Sequence, residues 1–237
     1  MKKIIFSVVV LTLSMGTISA QSVDEIVAKN LNAIGGVSKL LEVKSVIMEN
    51  TIKVQRLEIE NLTTVLVGKA MRSDSKIMGN NMVQAFDGTT SWEITPVMIG
   101  GTGEPQLMSE ELAKSVISQI DPFPLLDYVK KGTRLELLAS EKVKDKDAYH
   151  LKLSPKTGAE SEIWIDVTSG LLLKLRKVEN GRQVEVLFLK YTEIEGITFA
   201  TSMETSNPIG IISIDTKIVK LNIAIDELIF KMPITKN

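Results

Sequence analysis

The sequence has 237 residues, with 28 basic and 29 acidic side chains, a formal net charge of −1 and no cysteine. This balance offers no strongly basic surface for nucleic acid or an anionic membrane, and the lack of cysteine excludes disulfides, thiol nucleophiles and sulfur-ligated metals. Hydrophobic residues make up 44% of the chain but aromatic residues only 5%, so the interior must be largely aliphatic.

Residues 1–20 have the organisation of a secretory signal. Two lysines precede an apolar run from Ile4 to Leu13, and Ala20 provides the small residue before a cleavage site. The apolar run is shorter than the ~20 residues that a bilayer-spanning helix needs, which argues against an uncleaved anchor. We therefore predict a cleavable signal peptide, a periplasmic location and a single domain over residues 21–237.

A helix is predicted directly after the signal. Ser22 and Glu25 have the spacing of a capping box, in which the two side chains accept hydrogen bonds from each other's backbone amides. Gly35 and Gly36 supply a C-terminal stop, and a short second helical turn over 38–43 follows. Apolar residues between these signals recur at helical spacing and predict an amphipathic helix: Ile26, Val27, Leu31 and Ile34.

From Ser45 onward apolar and polar residues alternate, which is typical of half-buried antiparallel strands. Three such runs lead to a hairpin at which Asp87 and Gly88 favour a two-residue type I′ turn. That turn pairs Phe86 with Thr89. It also places one apolar set on a single face of the hairpin: Val83, Ala85, Trp92 and Ile94.

A helical insert over about 107–131 is predicted to interrupt the strands. The glycine-rich residues 97–106 before it are predicted to form a loop. Ser109 and two following glutamates have the composition of a helix start. The helix has an apolar stripe formed by Leu112, Val116, Ile117 and Ile120.

The second half of the chain returns to period two, with seven candidate strands between residues 133 and 223 and turn residues between them. The charged segment 141–147 is predicted to be a solvated turn. Together these patterns predict a mainly β fold in which one antiparallel sheet of about ten or eleven strands curls and is covered by helices.

The sequence provides little for catalysis. His150 is the only histidine, so a Ser-His-Asp triad or a zinc site would depend on it alone. The glycine-rich segment Ile99–Glu104 lacks the spacing of a dinucleotide fingerprint and the lysine of a phosphate-binding loop. We therefore predict no catalytic residue, no metal site, no cofactor and no enzymatic activity. An envelope hydrolase that uses His150 is the least favoured alternative.

Five methionines lie in one segment beside the hairpin and the helical insert: Met71, Met78, Met82, Met98 and Met108. Methionine is flexible and polarizable, and it is common on surfaces that repack against varied apolar partners, although it also fills gaps in ordinary cores. This surplus of apolar surface suggests that the sheet holds a lipid under the helical insert.

Several segments resemble the periplasmic outer-membrane lipoprotein carriers LolA and LolB and the related lipoprotein-sorting proteins. The resemblance lies in the order and spacing of the segments across nearly the whole domain. These are the helix end Ile34–Gly36, the hairpin Val83–Trp92, Ile120–Tyr128, the strand Tyr149–Leu153, the hairpin Glu162–Leu175 and the closing Asp226–Pro233.

This resemblance implies an unclosed antiparallel β-barrel whose apolar cavity takes up the acyl chains of lipoproteins. The implied partners are acylated lipoproteins or lipids, an inner-membrane donor complex and an outer-membrane acceptor, with the carrier a monomer. The lid-latching arginine of the carriers has no secure counterpart, since Arg56 and Arg72 are both candidates. A sensor domain that detects mislocalised lipoprotein is the alternative function.

We assign candidate residues on this basis. The predicted acyl-chain cavity is formed, together with faces of later strands, by Val46, Met48, Ile52, Val54, Val83, Trp92 and Ile94. The predicted lid is formed by Leu112, Val116, Ile117, Ile120 and Phe123.

Overall fold

The structure is a computed structural model that describes residues 21–156, 159–179, 181–207 and 210–234. The predicted signal peptide lies outside the described residues. The α-helices are α1 (Val23–Ala33), α2 (Val37–Glu42) and α3 (Glu110–Ile117), and 3₁₀ turns occur at Val97–Ile99, Ser118–Ile120 and Glu227–Phe230. None of the helices within the described residues combines the length and the apolar character needed to cross a bilayer.

The described part of the chain contains 14 strands in one sheet. Those of the first half are β1 (Ser45–Val54), β2 (Leu57–Leu66), β3 (Ala70–Ile77), β4 (Asn80–Phe86), β5 (Ser91–Ile94) and β6 (Pro105–Leu107). Those of the second half are β7 (Arg134–Leu137), β8 (Glu141–Val143), β9 (Lys146–Ser154), β10 (Ser161–Asp166), β11 (Leu172–Glu179), β12 (Arg182–Ile194), β13 (Ile197–Asn207) and β14 (Gly210–Leu221).

The predicted count of ten or eleven strands is therefore wrong. Two of the additional strands have only three residues: β6 begins in the segment predicted as a loop, and β8 lies in the segment predicted as a solvated turn. Three residues are too few to display a period of two, so their conformation is decided by pairing. β6 adds to β5, and β8 folds back on β9.

The sheet is antiparallel and unclosed, as predicted. Its order is β6-β5-β4-β3-β2-β1-β14-β13-β12-β11-β10-β9-β7, with β8 also paired to β9. The first strand of the chain thus pairs with the last, and the two end strands β6 and β7 do not pair with each other within the described residues. We call the face that packs against α1 and α3 the inner face.

The β4–β5 hairpin has a longer turn than predicted. Phe86 pairs with Ser91 rather than Thr89, and the Oδ1 of Asp87 accepts hydrogen bonds from the amides of Thr89 and Thr90 at 2.9 and 2.7 Å. The Asp87 carboxylate thereby stabilises a loop of four residues, 87–90, in place of the predicted turn of two residues. Because the pairing moves by two residues, each side chain keeps its face. The predicted grouping of Val83, Ala85, Trp92 and Ile94 is confirmed.

The N-terminal helix is capped as predicted and is anchored to the sheet. The capping box of Ser22 and Glu25 is present, and Ile26, Val27 and Leu31 are buried in the main core. Asn30 is also buried, and its Nδ2 donates to the carbonyl of Gly170 at 2.8 Å, in the turn between β10 and β11. This hydrogen bond fixes the helix over the second half of the sheet.

Candidate functional site

A cavity of about 810 Å³ lies on the inner face, between α1, α3 and the strands β9 to β13. Its apolar lining comes from Leu31, Ile34, Leu112, Phe123, Leu125, Leu153, Ile163, Leu172, Leu175, Phe188, Tyr191 and Phe199. Protein sites for small molecules are mostly apolar and commonly span ~300–1,000 Å³, so this cavity has the size and the lining of a ligand site.

Cross-strand register explains how distant residues form one wall. Ile163 of β10 pairs with Leu175 of β11, and in the next row Ser161 pairs with both Leu153 and Lys177. Directly paired residues in an antiparallel sheet project to the same face. The wall is thus a set of side-chain rows across β9, β10 and β11, in which polar residues join the lining at Ser161 and Lys177.

The floor of the cavity depends on a close contact at the end of α1. The carbonyl of Ile34 accepts a hydrogen bond from the amide of Thr198 at 3.0 Å, so this short segment adds to the edge of β13. Gly35 follows with φ +131°, and a Cβ there would lie 2.7 Å from the carbonyl oxygen of Gly196. Only glycine allows this approach, which holds Leu31 and Ile34 against the cavity.

Helix α3 and the segment after it form the roof. The hydroxyl of Ser109 caps α3 through the amide of Leu112, as predicted, and Val116 is buried in the main core beneath it. Leu112 reaches the cavity from α3, and Phe123 reaches it from the following turn, where its ring lies 6.2 Å from that of Phe199. The roof is therefore anchored through Val116 and Phe123, which both belong to the main core.

Charged groups surround the opening. On α3, Lys114 pairs with Glu110 at 2.6 Å, and this hydrogen bond lowers the pKa of the exposed Glu110 carboxyl. Asp121 pairs with Lys131 at 2.7 Å. Inside the cavity, burial raises the pKa of Tyr191, and its hydroxyl donates to the carbonyl of Leu172 at 2.8 Å. The interior thus stays uncharged while the rim is ionic.

The seven residues predicted to form the cavity lie outside the lining of this one, and the structure divides them between the two faces. Val46 pairs with Val65, Val65 with Met71, and Met71 with Phe86, so this row belongs to the inner face. Met48, Ile52 and Val54 share that face by period two. Val83, Trp92 and Ile94 lie on the opposite, outer face in a separate cluster with Met232.

The outer cluster is covered by the C-terminal segment. The indole Nε1 of Trp92 donates to the carbonyl of Phe230 at 2.7 Å, and Arg72 donates to the carbonyl of Ile229 at 2.6 Å. Arg72 also pairs with Asp74 at 2.7 Å and lies over the Trp92 ring at 5.6 Å. In this conformation Arg72, one of the two arginines considered as a latch, holds the C-terminal segment on the outer face.

Only part of the predicted lid lies over the cavity. Leu112 and Phe123 line the cavity. Val116 is buried in the core beneath α3, and Ile120 packs against that core. Ile117 is 37% exposed. A single helical stripe therefore divides between the cavity, the core and solvent, because α3 is short and packs against β3, β4 and β5 as well as over the cavity.

His150 has structural partners on the outer face. Its ring stacks on Trp164 at 4.1 Å, and its Nε2 lies 2.6 Å from a carboxylate oxygen of Glu162. Burial alone would raise the pKa of Glu162, but hydrogen bonds from Arg176 and His150 lower it. Within the described residues, no group of three or more His, Cys, Asp or Glu side chains is arranged to hold a metal ion.

The protein was compared with known families and structures. No family model matches the chain, and no curated protein sequence matches it. Solved structures do match across most of the chain. A DUF1329 family protein from Desulfovibrio piger has a TM-score of 0.60 at 16% identity and covers 88% of this chain and 97% of its own.

Two further matches carry descriptive names. The LolA superfamily protein NE2245 from Nitrosomonas europaea has a TM-score of 0.61 at 13% identity and covers 90% of this chain and 98% of its own. An outer membrane lipoprotein-sorting protein domain from Vibrio parahaemolyticus has a TM-score of 0.57 at 16% identity and covers 87% of this chain and 94% of its own. Likeness at these identities establishes architecture rather than activity. The predicted resemblance is thus confirmed for the fold: this protein shares its fold with the LolA superfamily protein NE2245 and with the lipoprotein-sorting domain.

Proposed function

We propose that this protein is a soluble periplasmic carrier that binds acyl chains of lipoproteins in the 810 Å³ cavity and helps to sort them to the outer membrane. The observation that carries the proposal is the apolar cavity itself, open at an ionic rim and roofed by a short helix. The shared fold with a lipoprotein-sorting domain supports the same class of ligand. The carrier needs no nucleotide or metal of its own.

The energetics suit reversible transfer. Burial of one methylene gains ~0.8 kcal/mol, so a chain of about fourteen carbons gains on the order of 11 kcal/mol before the costs of binding. Leu112 and Phe123 roof the cavity while their neighbours Glu110 and Lys114 remain in solvent. Opening of this roof would withdraw Val116 and Phe123 from the main core, so a bound chain is held until an acceptor competes for it.

The test uses two charge substitutions on the same helix. Leu112→Glu places a carboxylate in the cavity, and we expect at least a tenfold loss of affinity for a fluorescent palmitoylated peptide, since burying an unpaired charge is strongly unfavourable. Ile117→Glu is the matched control, because Ile117 is 37% exposed and lies outside the cavity lining. Circular dichroism should show the same β-rich spectrum for both variants.

The opposite result has a clear meaning. Loss of binding in Ile117→Glu together with full binding in Leu112→Glu would show that the ligand binds outside this cavity. Mass spectrometry of lipids and lipoproteins that co-purify with the wild-type protein from periplasm provides the second check. A protein that retains an acyl ligand but never releases it to acceptor membranes would fit the sensor alternative instead.

A further inference from the structure

The sheet is split beside the cavity, between β13 and β14. These strands pair from Ser202 and Asp215 to their hairpin turn, whereas no pairing joins residues 197–201 of β13 to residues 216–221 of β14, all of which are described. Each strand remains paired on its other side, β13 to β12 and β14 to β1. We call this opening the seam.

Two bulges accompany the split. Thr201 is an extra residue of β13 in its pairing with β12, and Lys217 is an extra residue of β14 in its pairing with β1. A β-bulge bends its strand and increases the local twist. Thr201 adjoins Ser202, the last paired residue of β13, and Lys217 lies two residues beyond Asp215, the last paired residue of β14, so the bulges bend the two strands where their pairing ends. The seam is thus a consequence of the register of the strands.

The seam opens into a groove of about 630 Å³ whose walls are both polar and apolar, the apolar part from Ile194, Ile218 and Val219. Thr192, Thr201, Ser202, Asp215 and Thr216 contribute to its lining, and Lys190 and Lys217 lie exposed at its rim. The hydroxyls of Thr192 and Thr201 are 2.9 Å apart, and Ser202 donates to Asp215 at 2.8 Å. This mixed lining is more polar than that of the apolar cavity and suits a peptide, which has a polar backbone and varied side chains.

Backbone groups of β13 face the seam. The amide of Thr198 points away from β12, because it donates to the carbonyl of Ile34. In an antiparallel strand alternate residues direct their amide and carbonyl to the same edge. Ala200, two residues further on, therefore presents its amide and carbonyl to the seam. Unpaired groups on a strand edge are a template for an added strand, and Ile34 already uses the neighbouring position in this way.

We propose that the seam binds an extended peptide as an additional strand between β13 and β14, and that this peptide is the polypeptide of an acylated cargo. The proposal rests on the carrier function for the acyl chain. Thr198 and Ala200 line the cavity, whereas Thr201 and Ser202 line the groove, so one ligand can reach both. Residues 197–201 of β13 have no partner on β14, and the amide of Thr198 is already bonded to Ile34, so the added strand would pair with β13 from Ala200 onward.

The test keeps the protein unchanged and alters the ligand. Three ligands share one acyl chain: palmitate, a palmitoylated pentapeptide with acidic residues, and the same lipopeptide with N-methylated backbone amides. Calorimetry should give an affinity for the unmethylated lipopeptide about tenfold above that for the methylated one, because methylation removes the donors that pair with the strand edges. Amide hydrogen exchange should slow at residues 200–201 and within 216–219 with the unmethylated lipopeptide alone, since the amide of Thr198 is already bonded to Ile34.

A charge reversal gives an independent measurement. Lys217→Glu at the rim should weaken the acidic lipopeptide several-fold and leave palmitate binding unchanged, whereas Lys53→Glu, exposed on β1, should change neither. Equal affinities for the methylated and unmethylated lipopeptides, with no protection at the seam, would overturn the proposal and leave the carrier function standing. If palmitate and both lipopeptides fail to bind, the carrier function fails. Unacylated peptide at millimolar concentration then tests the seam by itself. Protection of the amides at 200–201 supports peptide binding there, and no protection overturns it.

Discussion

Gly35 provides a sharp test of how the cavity floor is held. Its φ of +131° is outside the range of other residues, and an added Cβ would meet the carbonyl oxygen of Gly196 at 2.7 Å and the Cα of Ile197 at 3.2 Å. Both are backbone atoms, so no side-chain rotation can relieve the overlap. Gly35→Ala must therefore displace either the end of α1 or the β12–β13 turn.

The adjacent Gly36 is the matched control. It also has a positive φ, +86°, but no atom lies within 4 Å of the Cβ that alanine would add. Gly36→Ala should cost only the backbone strain, ~2 kcal/mol. Gly35→Ala should cost that strain plus an overlap of ~2 kcal/mol, giving a loss of about 4 kcal/mol.

Urea denaturation followed by circular dichroism measures both variants. We expect midpoints that fall in the order wild type, Gly36→Ala, Gly35→Ala, with unchanged slopes. Since Leu31 and Ile34 line the cavity, Gly35→Ala should also weaken lipopeptide binding in the folded protein. Equal stabilities for the two variants would refute the claim that close approach, rather than φ alone, requires glycine at position 35.

Two further predictions concern buried polar contacts. Asn30→Ala removes the 2.8 Å hydrogen bond to the carbonyl of Gly170 and leaves that acceptor without its side-chain donor. The free energy of unfolding should therefore fall by ~2 kcal/mol in thermal or urea denaturation. A loss below ~0.5 kcal/mol would contradict an anchoring role for Asn30. For Asp87, burial alone would raise the carboxyl pKa, but two turn amides and Lys231 lower it overall. The contribution of the Asp87 carboxylate to stability is therefore present above the unfolded-state pKa of ~3.9 and is lost as pH falls through the lower folded-state pKa. Asp87→Asn should flatten the acid limb of the curve of unfolding free energy against pH. An unchanged acid limb would exclude Asp87 as its source.

Local signals in the sequence predicted local structure well. The capping box at Ser22 and the cap at Ser109 depend on side chains and amides within three residues of each other, and both form as predicted. The grouping of Val83, Ala85, Trp92 and Ile94 is also correct even though the turn is longer than expected, since a shift of two residues preserves the face. Predictions that rest on contacts between near neighbours in the chain are therefore confirmed, whereas the apolar stripe of α3 is divided by the way the helix packs.

Placement across the sheet could not be predicted in the same way. Alternation with a period of two shows which residues of a strand share a face but not which face is the inner one. The predicted cavity therefore includes both Val46 and Trp92, although they lie on opposite faces of the sheet. In the segment Leu171–Leu175 both faces carry leucine, so hydrophobicity gives no choice between them. Leu172 and Leu175 line the cavity, whereas Leu173 packs on the outer face near Trp164.

The sequence by itself determined the class of this protein: alternating strands, capped helices, no cysteine and a surplus of aliphatic side chains, all encoded by neighbours along the chain. Only the tertiary structure decided where the cavity lies and where the sheet splits. Both depend on pairings between residues far apart in the chain, such as β1 with β14, and on bulges that shift a register by one residue. Such pairings are selected by the packing of the whole sheet, because each isolated strand is compatible with several partners.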